Sequence, residues 1–182
     1  MFVAFRRVMR ASRRLTLLVG VLAASVALLL GAAGGATAAT PSFTTHISPL
    51  NTGYLELDVS GASTQPGAPV IDWYANGGAN QAWTFQSTGA ANTYEIVNQN
   101  SGQCLTTNGV AGSQLYQWPC SANNPYQVWT TDLGANYDFH GHAIRNPAFG
   151  LYVDVSGNSP WPGAAIDTWY WNGGDNQYFR SI

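Results

Sequence analysis

The sequence repeats itself. Displaced by 96 residues, Leu55 to Phe85 (LELDVSGASTQPGAPVIDWYANGGANQAWTF) falls on Leu151 to Ser181 (LYVDVSGNSPWPGAAIDTWYWNGGDNQYFRS) without a gap, and 16 of the 31 positions are identical. Average residue usage gives about two by chance. A weaker third copy lies halfway between, from Cys104-Leu105-Thr106 through Leu115-Tyr116-Gln117-Trp118 to Tyr126-Gln127-Val128-Trp129. Internal periodicity of roughly 48 residues means one domain of three similar supersecondary units with no linker. Three equal units can close into a ring that leaves no sheet edge, which favours a closed arrangement over a two-sheet sandwich.

Each unit reads as β-structure. Leu55, Leu57 and Val59 alternate with Glu56 and Asp58, and Leu151, Val153 and Val155 do the same. That period predicts half-buried strands. Turn signals separate the short runs: Ser60–Gly61, Pro66–Gly67, Asn76–Gly77–Gly78, Asn108–Gly109 and Asn172–Gly173–Gly174. No sustained helical period follows Ala39. The predicted fold class is all-β.

The N-terminus has the order of a secretory signal peptide. Five Arg lie in the first 14 residues, an uncharged aliphatic run spans Leu15 to Leu30, and Ala36-Thr37-Ala38 forms an A-x-A cleavage site. The expected division is 1–38 signal peptide and 39–182 mature domain, secreted and extracellular. An uncleaved membrane anchor is the alternative. Ser12-Arg13-Arg14-Leu15-Thr16-Leu17 is similar to a twin-arginine signal, with Thr16 where a larger apolar residue is usual, so the export route stays open. Cys104 and Cys120 are the only cysteines, and an even count in an exported chain favours a disulfide.

Charge excludes several classes. Only 9% of the residues are charged and none is Lys; after the N-terminal segment, Arg145 and Arg180 stand against nine acids, a net −7. A phosphate-tracking nucleic-acid binder needs clustered cations. No GxxxxGK[ST] and no strand-linked GxGxxG is present, so no nucleotide cofactor is expected. Asp138, His140 and His142 alternate, but no distant third ligand completes a metal set, and a surface turn is the plainer reading. Asp154 and Asp167 could approach one another, yet nothing in the sequence marks either as the raised acid of a glycosidase, and no nucleophile elbow is present. The expectation is a protein without enzyme activity, metal or cofactor.

Gln81-Ala82-Trp83, Gln127-Val128-Trp129 and Gln177-Tyr178-Phe179 resemble the Q-x-W signature of the ricin B-chain-type β-trefoil lectins, degenerate only at Phe179. The three copies lie 46 and 50 residues apart, and the resemblance covers essentially all of the chain after the signal segment. It implies a β-trefoil and carbohydrate binding. Cys104 and Cys120 occupy the places of that family's intra-repeat disulfide; the outer repeats have Glu56 and Ala75, and Tyr152 and Trp171, at those places. The family's sugar is held by an Asp on the first strand, an aromatic on the third and the Asn of N-Q-x-W. The resemblance therefore implies Asp58, Trp73, Asn80 and Gln81 in the first repeat, and Asp154, Trp169, Asn176 and Gln177 in the third. In the middle repeat Thr106 replaces the Asp and Tyr126 the Asn, although Trp118 and Gln127 remain, so that site is expected to be weak or absent.

The chemistry suits those residue types. A sugar offers a face of C–H groups and a rim of hydroxyls, so an aromatic plate and a carboxylate accepting from two hydroxyls make a site. Asp167, two residues before Trp169 and on its side of the strand, is a second candidate carboxylate. The first repeat has Ile71 there. Asp72 lies on the opposite face from Trp73, and would serve with Tyr74 only if the strand slipped by one; the ungapped alignment favours Trp73. Structural readings stand beside these. The Asp residues precede Ser-Gly turns and can bond their own backbone, and Trp73 and Trp169 can fill a core. Trp83, Trp129 and Phe179 read as core, and the Gln side chains as satisfying buried backbone groups, with Gln81 and Gln177 at most touching ligand from the edge. Trp161, in Ser-Pro-Trp-Pro-Gly, is expected in an exposed loop, where it could extend the third site. The partner expected is a polysaccharide or cell-surface glycan, neutral rather than anionic, held bivalently. The alternatives are a secreted protein-interaction or inhibitor trefoil and an accessory binding subunit of a hydrolase. Neither the sugar nor the oligomeric state follows from the sequence.

Overall fold

A computed structural model describes residues 40–134 and 141–182, which belong to a compact unit, Ala36–Ile182. The signal segment lies outside the described residues, as do Asp138 and His140. Twelve strands are present among the described residues, four from each repeat. The first repeat contributes β1 (Phe43–Pro49), β2 (Leu55–Val59), β3 (Val70–Tyr74) and β4 (Ala82–Ser87). The second contributes β5 (Thr93–Asn98), β6 (Cys104–Thr106), β7 (Tyr116–Trp118) and β8 (Val128–Thr130). The third contributes β9 (Arg145–Asn146), β10 (Leu151–Val155), β11 (Ile166–Trp169) and β12 (Phe179–Ser181).

The outer strands of the repeats close a ring. β1 pairs with β12 and β4, β4 with β5, β5 with β8, and β8 with β9, all antiparallel. The seam lies just before β9, where His142 and Phe179 exchange N–H···O bonds of 2.7 and 2.9 Å. Closure leaves no row of unpaired backbone groups. The inner strands form three hairpins, β2–β3, β6–β7 and β10–β11. These hairpins meet one another through backbone bonds, Val70 N–H to Leu115 O at 2.9 Å, Leu115 N–H to Ile166 O at 2.8 Å and Asp72 N–H to Ala164 O at 3.0 Å. This is the closed threefold arrangement that the repeat predicts, and the β-trefoil that the Q-x-W resemblance implies.

The core sits on the threefold axis of the repeats. Trp83, Trp129 and Phe179, the last residues of the three Q-x-W segments, are completely buried. Around them pack Leu57, Leu105 and Val153 from the equivalent inner strands, with Leu115 and Ile166. Two of the three large rings carry a polar atom inward and satisfy it. Trp83 Nε1 donates to Leu57 O and Trp129 Nε1 to Leu105 O, each at 3.0 Å. A buried indole N–H needs such a partner. Phe179 has no N–H to place, so the degenerate third signature keeps the ring and omits the bond.

The alternation in β2 predicts one solvent face, and the structure differs. All five residues Leu55–Val59 are buried. Glu56 is covered because it accepts from His46 Nδ1 at 2.8 Å. Asp58 is covered because the turn before β4 folds over it. The polar face of the strand is therefore an internal polar layer.

Cys104 and Cys120 form a disulfide that ties β6 to the segment after β7. The same two places in the third repeat hold Tyr152 and Trp171, whose rings pack with centroids 4.8 Å apart. A ring contact stands there in the place of the covalent link. Replacing Cys104 and Cys120 by Ala is expected to lower stability by about 3 kcal/mol, the chain-entropy value for a loop of this length, while circular dichroism remains that of the folded domain. Urea unfolding of the native and substituted chains measures it.

Candidate functional site

Two cavities open on the outer repeats at equivalent places. The first, of about 420 Å³, is lined by Asp58, Ser60, Gly61, Ala62, Ile71, Trp73, Asn76 and Asn80. The second, of about 630 Å³, is lined by Asp154, Ser156, Gly157, Asn158, Asp167, Trp169, Asn172, Asn176 and Gly112. The strand registers agree: Asp58 stands opposite Ile71 in β2–β3, and Asp154 opposite Asp167 in β10–β11. There is no one-residue slip between the repeats. Trp73 and Trp169 are 42% and 44% exposed, so each presents ring surface to solvent while lining its cavity.

The carboxylates are held from behind by amides. Asn80 Nδ2 and Gln81 Nε2 both donate to Asp58 Oδ2, each at 2.8 Å. In the third repeat Asn176 Nδ2 donates to Asp154 Oδ2 at 2.8 Å. Both protein donors to Asp58 use one oxygen, which keeps Oδ1 available to a ligand. The Gln side chains are fully buried and spend themselves inside the protein. Gln81 donates also to Tyr74 O at 2.9 Å and accepts from Asn76 N–H at 2.8 Å. Gln177 does the same with Tyr170 O at 2.9 Å and Asn172 N–H at 2.8 Å. Gln81 and Gln177 thus lie behind the cavities rather than on their walls, fixing the loop that carries Asn76 or Asn172 and Asn80 or Asn176.

Asp72 is placed elsewhere. It is completely buried, on the face of β3 away from the first cavity, and its Oδ1 accepts from Ala164 N–H at 2.8 Å. The residue before each exposed Trp has the same task in all three repeats. Gln117 Nε2 donates to Gln65 O at 2.9 Å, and Thr168 Oγ1 reaches Val110 O at 3.5 Å. Each grips the loop of a neighbouring repeat. That loop ends in a glycine with positive φ: Gly67 at +83°, Gly112 at +79°, Gly163 at +89°. A Cβ at Gly112 would lie 2.9 Å from Trp169 Cζ3, and one at Gly163 3.4 Å from Trp73 Cζ3. Trp118 stands against Gly67 in the same way, a Cβ there lying 3.8 Å from its Cζ3. Every plate is therefore braced by a glycine turn from another repeat, in cyclic order. Trp161 belongs to this scheme. Its loop lines the third-repeat cavity at Ser156, Gly157 and Asn158 and reaches Trp73 of the first repeat at Gly163.

The middle repeat keeps the plate and loses the rim. Trp118 is 48% exposed. Thr106 Oγ1 donates to Cys104 O at 2.8 Å and accepts from Gln127 Nε2 at 3.1 Å, so its hydroxyl is consumed internally. Tyr126, in the Asn place, packs on Phe149 with centroids 4.9 Å apart. Asn76, Asn172, Ser60 and Ser156 line the cavities and were not picked out by the motif. Their signal was present, since all four are identical between the outer repeats in the 96-residue alignment. His142 Nδ1 contacts Asp132 Oδ1 at 2.8 Å, and among the described residues no three His, Cys, Asp or Glu side chains gather as a metal site.

Burial raises the site acids. Asp58 is pushed above the ordinary carboxylate range by loss of solvent, with its bonds from Gln81 and Asn80 pulling back. Asp154 is pushed up to about 6 by burial, opposed by the bond from Gln177, with the facing Asp167 adding to the rise and Asn176 opposing it. Asp167 is raised by burial, with a bond from Ser156 opposing. At pH 7 Asp154 is ionised and able to accept from hydroxyls.

The Ricin-type beta-trefoil lectin domain-like family matches this chain over residues 46–111 and 79–169. The chain belongs to that family. No curated protein sequence matches it. Among solved structures, the designed 3-fold symmetric protein ThreeFoil is 27% identical, with a TM-score of 0.68 over 76% of this chain and 97% of that one. An exo-beta-1,3-galactanase from Clostridium thermocellum is 26% identical with a TM-score of 0.68, over 76% of this chain and 30% of that one. The Macrolepiota procera ricin B-like lectin, solved in complex with lactose, is 24% identical with a TM-score of 0.62, over 78% and 95%; at that identity it speaks for the fold alone.

The raised carboxyls make a signed prediction. An Asp whose folded pKa exceeds its unfolded value keeps its proton longer in the folded state, so folding gains stability as pH falls. For Asp154 the window runs from about 6 down to the ordinary value of 3.8. The Tm gain between pH 7 and pH 5 is expected to be smaller in Asp154→Asn than in the native chain. Thermal unfolding across that range checks it.

Proposed function

We propose that this chain is a secreted, non-catalytic carbohydrate-binding protein, bivalent through its first and third repeats. One observation carries the reading. At two equivalent places a partly exposed Trp plate and an amide-backed Asp line the same cavity, as a sugar face and its hydroxyl rim require. Trp73 or Trp169 stacks on the ring face. Asp58 or Asp154 accepts from neighbouring hydroxyls, and Asn80 or Asn176 completes the rim. Asp167 gives the third-repeat site a second carboxyl that Ile71 denies the first, so the two sites differ in polarity. Gln81 and Gln177 act by holding the rim, and Asp72 by holding the neighbouring loop.

Two open sites on one rigid body gain by linkage on a polymer or cell-surface glycan, on the order of 10²–10⁴-fold where geometry allows simultaneous engagement. The net charge after the N-terminal segment is −7, which supports a neutral glycan over an anionic one. The basic, apolar and small-residue order of residues 1–38 supports export. The exo-beta-1,3-galactanase that is 26% identical over this fold makes galactose and its oligomers the first sugars to try.

Binding to glycan arrays and insoluble polysaccharides by the domain beginning at Ala39 tests the reading. The native chain is expected to bind. Asp58→Ala with Asp154→Ala is expected to lower binding at least a hundredfold with the fold intact. Each single variant is expected to keep monovalent binding and lose the avidity on polymers. Silence of the double variant would instead assign the interaction to loops and favour a protein partner.

A further inference from the structure

The two cavities are near-copies, but the loops that brace them are not. At the position two residues before the bracing glycine, the loop against Trp169 has Val110, the loop against Trp118 has Gln65, and the loop against Trp73 has Trp161. Trp161 is 73% exposed, more than any other large apolar side chain among those described. A bare indole on a loop costs solubility and contributes nothing to a core.

Its placement is fixed from both ends. On one side Tyr54 Oη donates to Pro160 O at 3.3 Å, and Asn51 Nδ2 to Ser159 O at 3.0 Å. On the other, Gly163 N–H donates to Asp72 O, and Ala164 N–H to Asp72 Oδ1, each at 2.8 Å. All four anchors belong to the first repeat. In the two equivalent loops the corresponding amide closes its own turn, Ala68 N–H to Gln65 O at 3.3 Å and Ser113 N–H to Val110 O at 3.2 Å. Here the Asp72 carboxylate takes that amide. The loop of the third repeat is therefore clamped onto the first, and Trp161 stands between a residue bonded to Tyr54 and a glycine at which a Cβ would lie 3.4 Å from the edge of Trp73. Two Cα steps span at most about 7.6 Å, so Trp161 starts within that distance of Gly163.

We infer that Trp161 is a second sugar platform for the first-repeat site, borrowed from the third repeat, and that Asp72 is the positioning residue that sets its loop. The inference rests on the carbohydrate-binding reading above and deepens it. The first site takes a glycan chain across Trp73 and onward to Trp161. The third site, flanked by Val110, takes a single terminal residue. The two sites then differ in the length of glycan they recognise.

The test isolates the first site in a Trp169→Ala background and follows ¹⁵N indole signals on titration. The probes are galactose, lactose and β-1,3-galactotetraose, with xylose and xylotetraose alongside. In the background chain the tetraose of the accepted sugar is expected to bind about tenfold more tightly than its monosaccharide and to shift the Trp161 signal. Trp161→Ala is expected to abolish that tenfold gain while leaving the monosaccharide affinity unchanged, and Trp73→Ala to remove both. In the converse background, Trp73→Ala, adding Val110→Trp is expected to give the third site a chain-length preference. If Trp161→Ala leaves the tetraose affinity unchanged, or weakens monosaccharide and tetraose alike, the platform is refuted while sugar binding stands. If the native chain binds none of the five probes, the platform and the sugar reading fall together for these sugars.

Discussion

A single buried amide closes each repeat. The Gln of the Q-x-W segment has no exposure to solvent, and in the first repeat its Nε2 serves the Asp of the inner strand and the carbonyl that ends the next one, while its Oε1 takes an amide from the turn. Unsatisfied, those groups would each cost about 1–3 kcal/mol inside the protein. Joined through one side chain they fix three separated segments at once. The ring at the end of the signature, two residues further, drops into the shared core. The signature is thus a hinge pin between core and cavity: its ring builds the centre, and its amide sets the wall.

The carboxylates sit where this pin brings them, at a price in stability near neutral pH. A group held up to about 6 by burial is one that folding would rather keep protonated. Using it as a charged acceptor means keeping it ionised in a place of low polarity, where each bond to a hydroxyl is stronger than in water. The third repeat goes further, with two carboxyls opposite one another across a hairpin. Such placements are common where a surface must hold a polar ligand and rare where it must only be stable.

Much of this was legible before any coordinates. The 96-residue offset and the three signatures carry the trefoil. The 15-residue spacing from Asp58 to Trp73, repeated from Asp154 to Trp169, brings the acid and plate of each cavity together. What stayed hidden is whatever depends on the neighbouring repeat. Asp72 reads as a ligand because it is an acid beside a Trp, yet strand alternation turns it away from the cavity and into a bond with Ala164, 92 residues on. Trp161 reads as part of its own repeat because the alignment is linear, and only the meeting of the hairpins in a circle brings the end of its loop against Trp73. Glu56 and Asp58 alternate as if exposed, and only the fold shows what covers them. A period of two tells which side a residue faces and not what lies on that side.

The cyclic bracing has a consequence for the single repeat. A lone unit of this kind would have had a plate with nothing behind it, since the glycine that backs each Trp comes from another unit. A unit of this kind alone would need two further copies to complete the cycle of braces. Within the ring, a substitution in one copy alters the recognition surface of the next. A change at Gly163 meets the plate of the first repeat, and one at Gly112 the plate of the third.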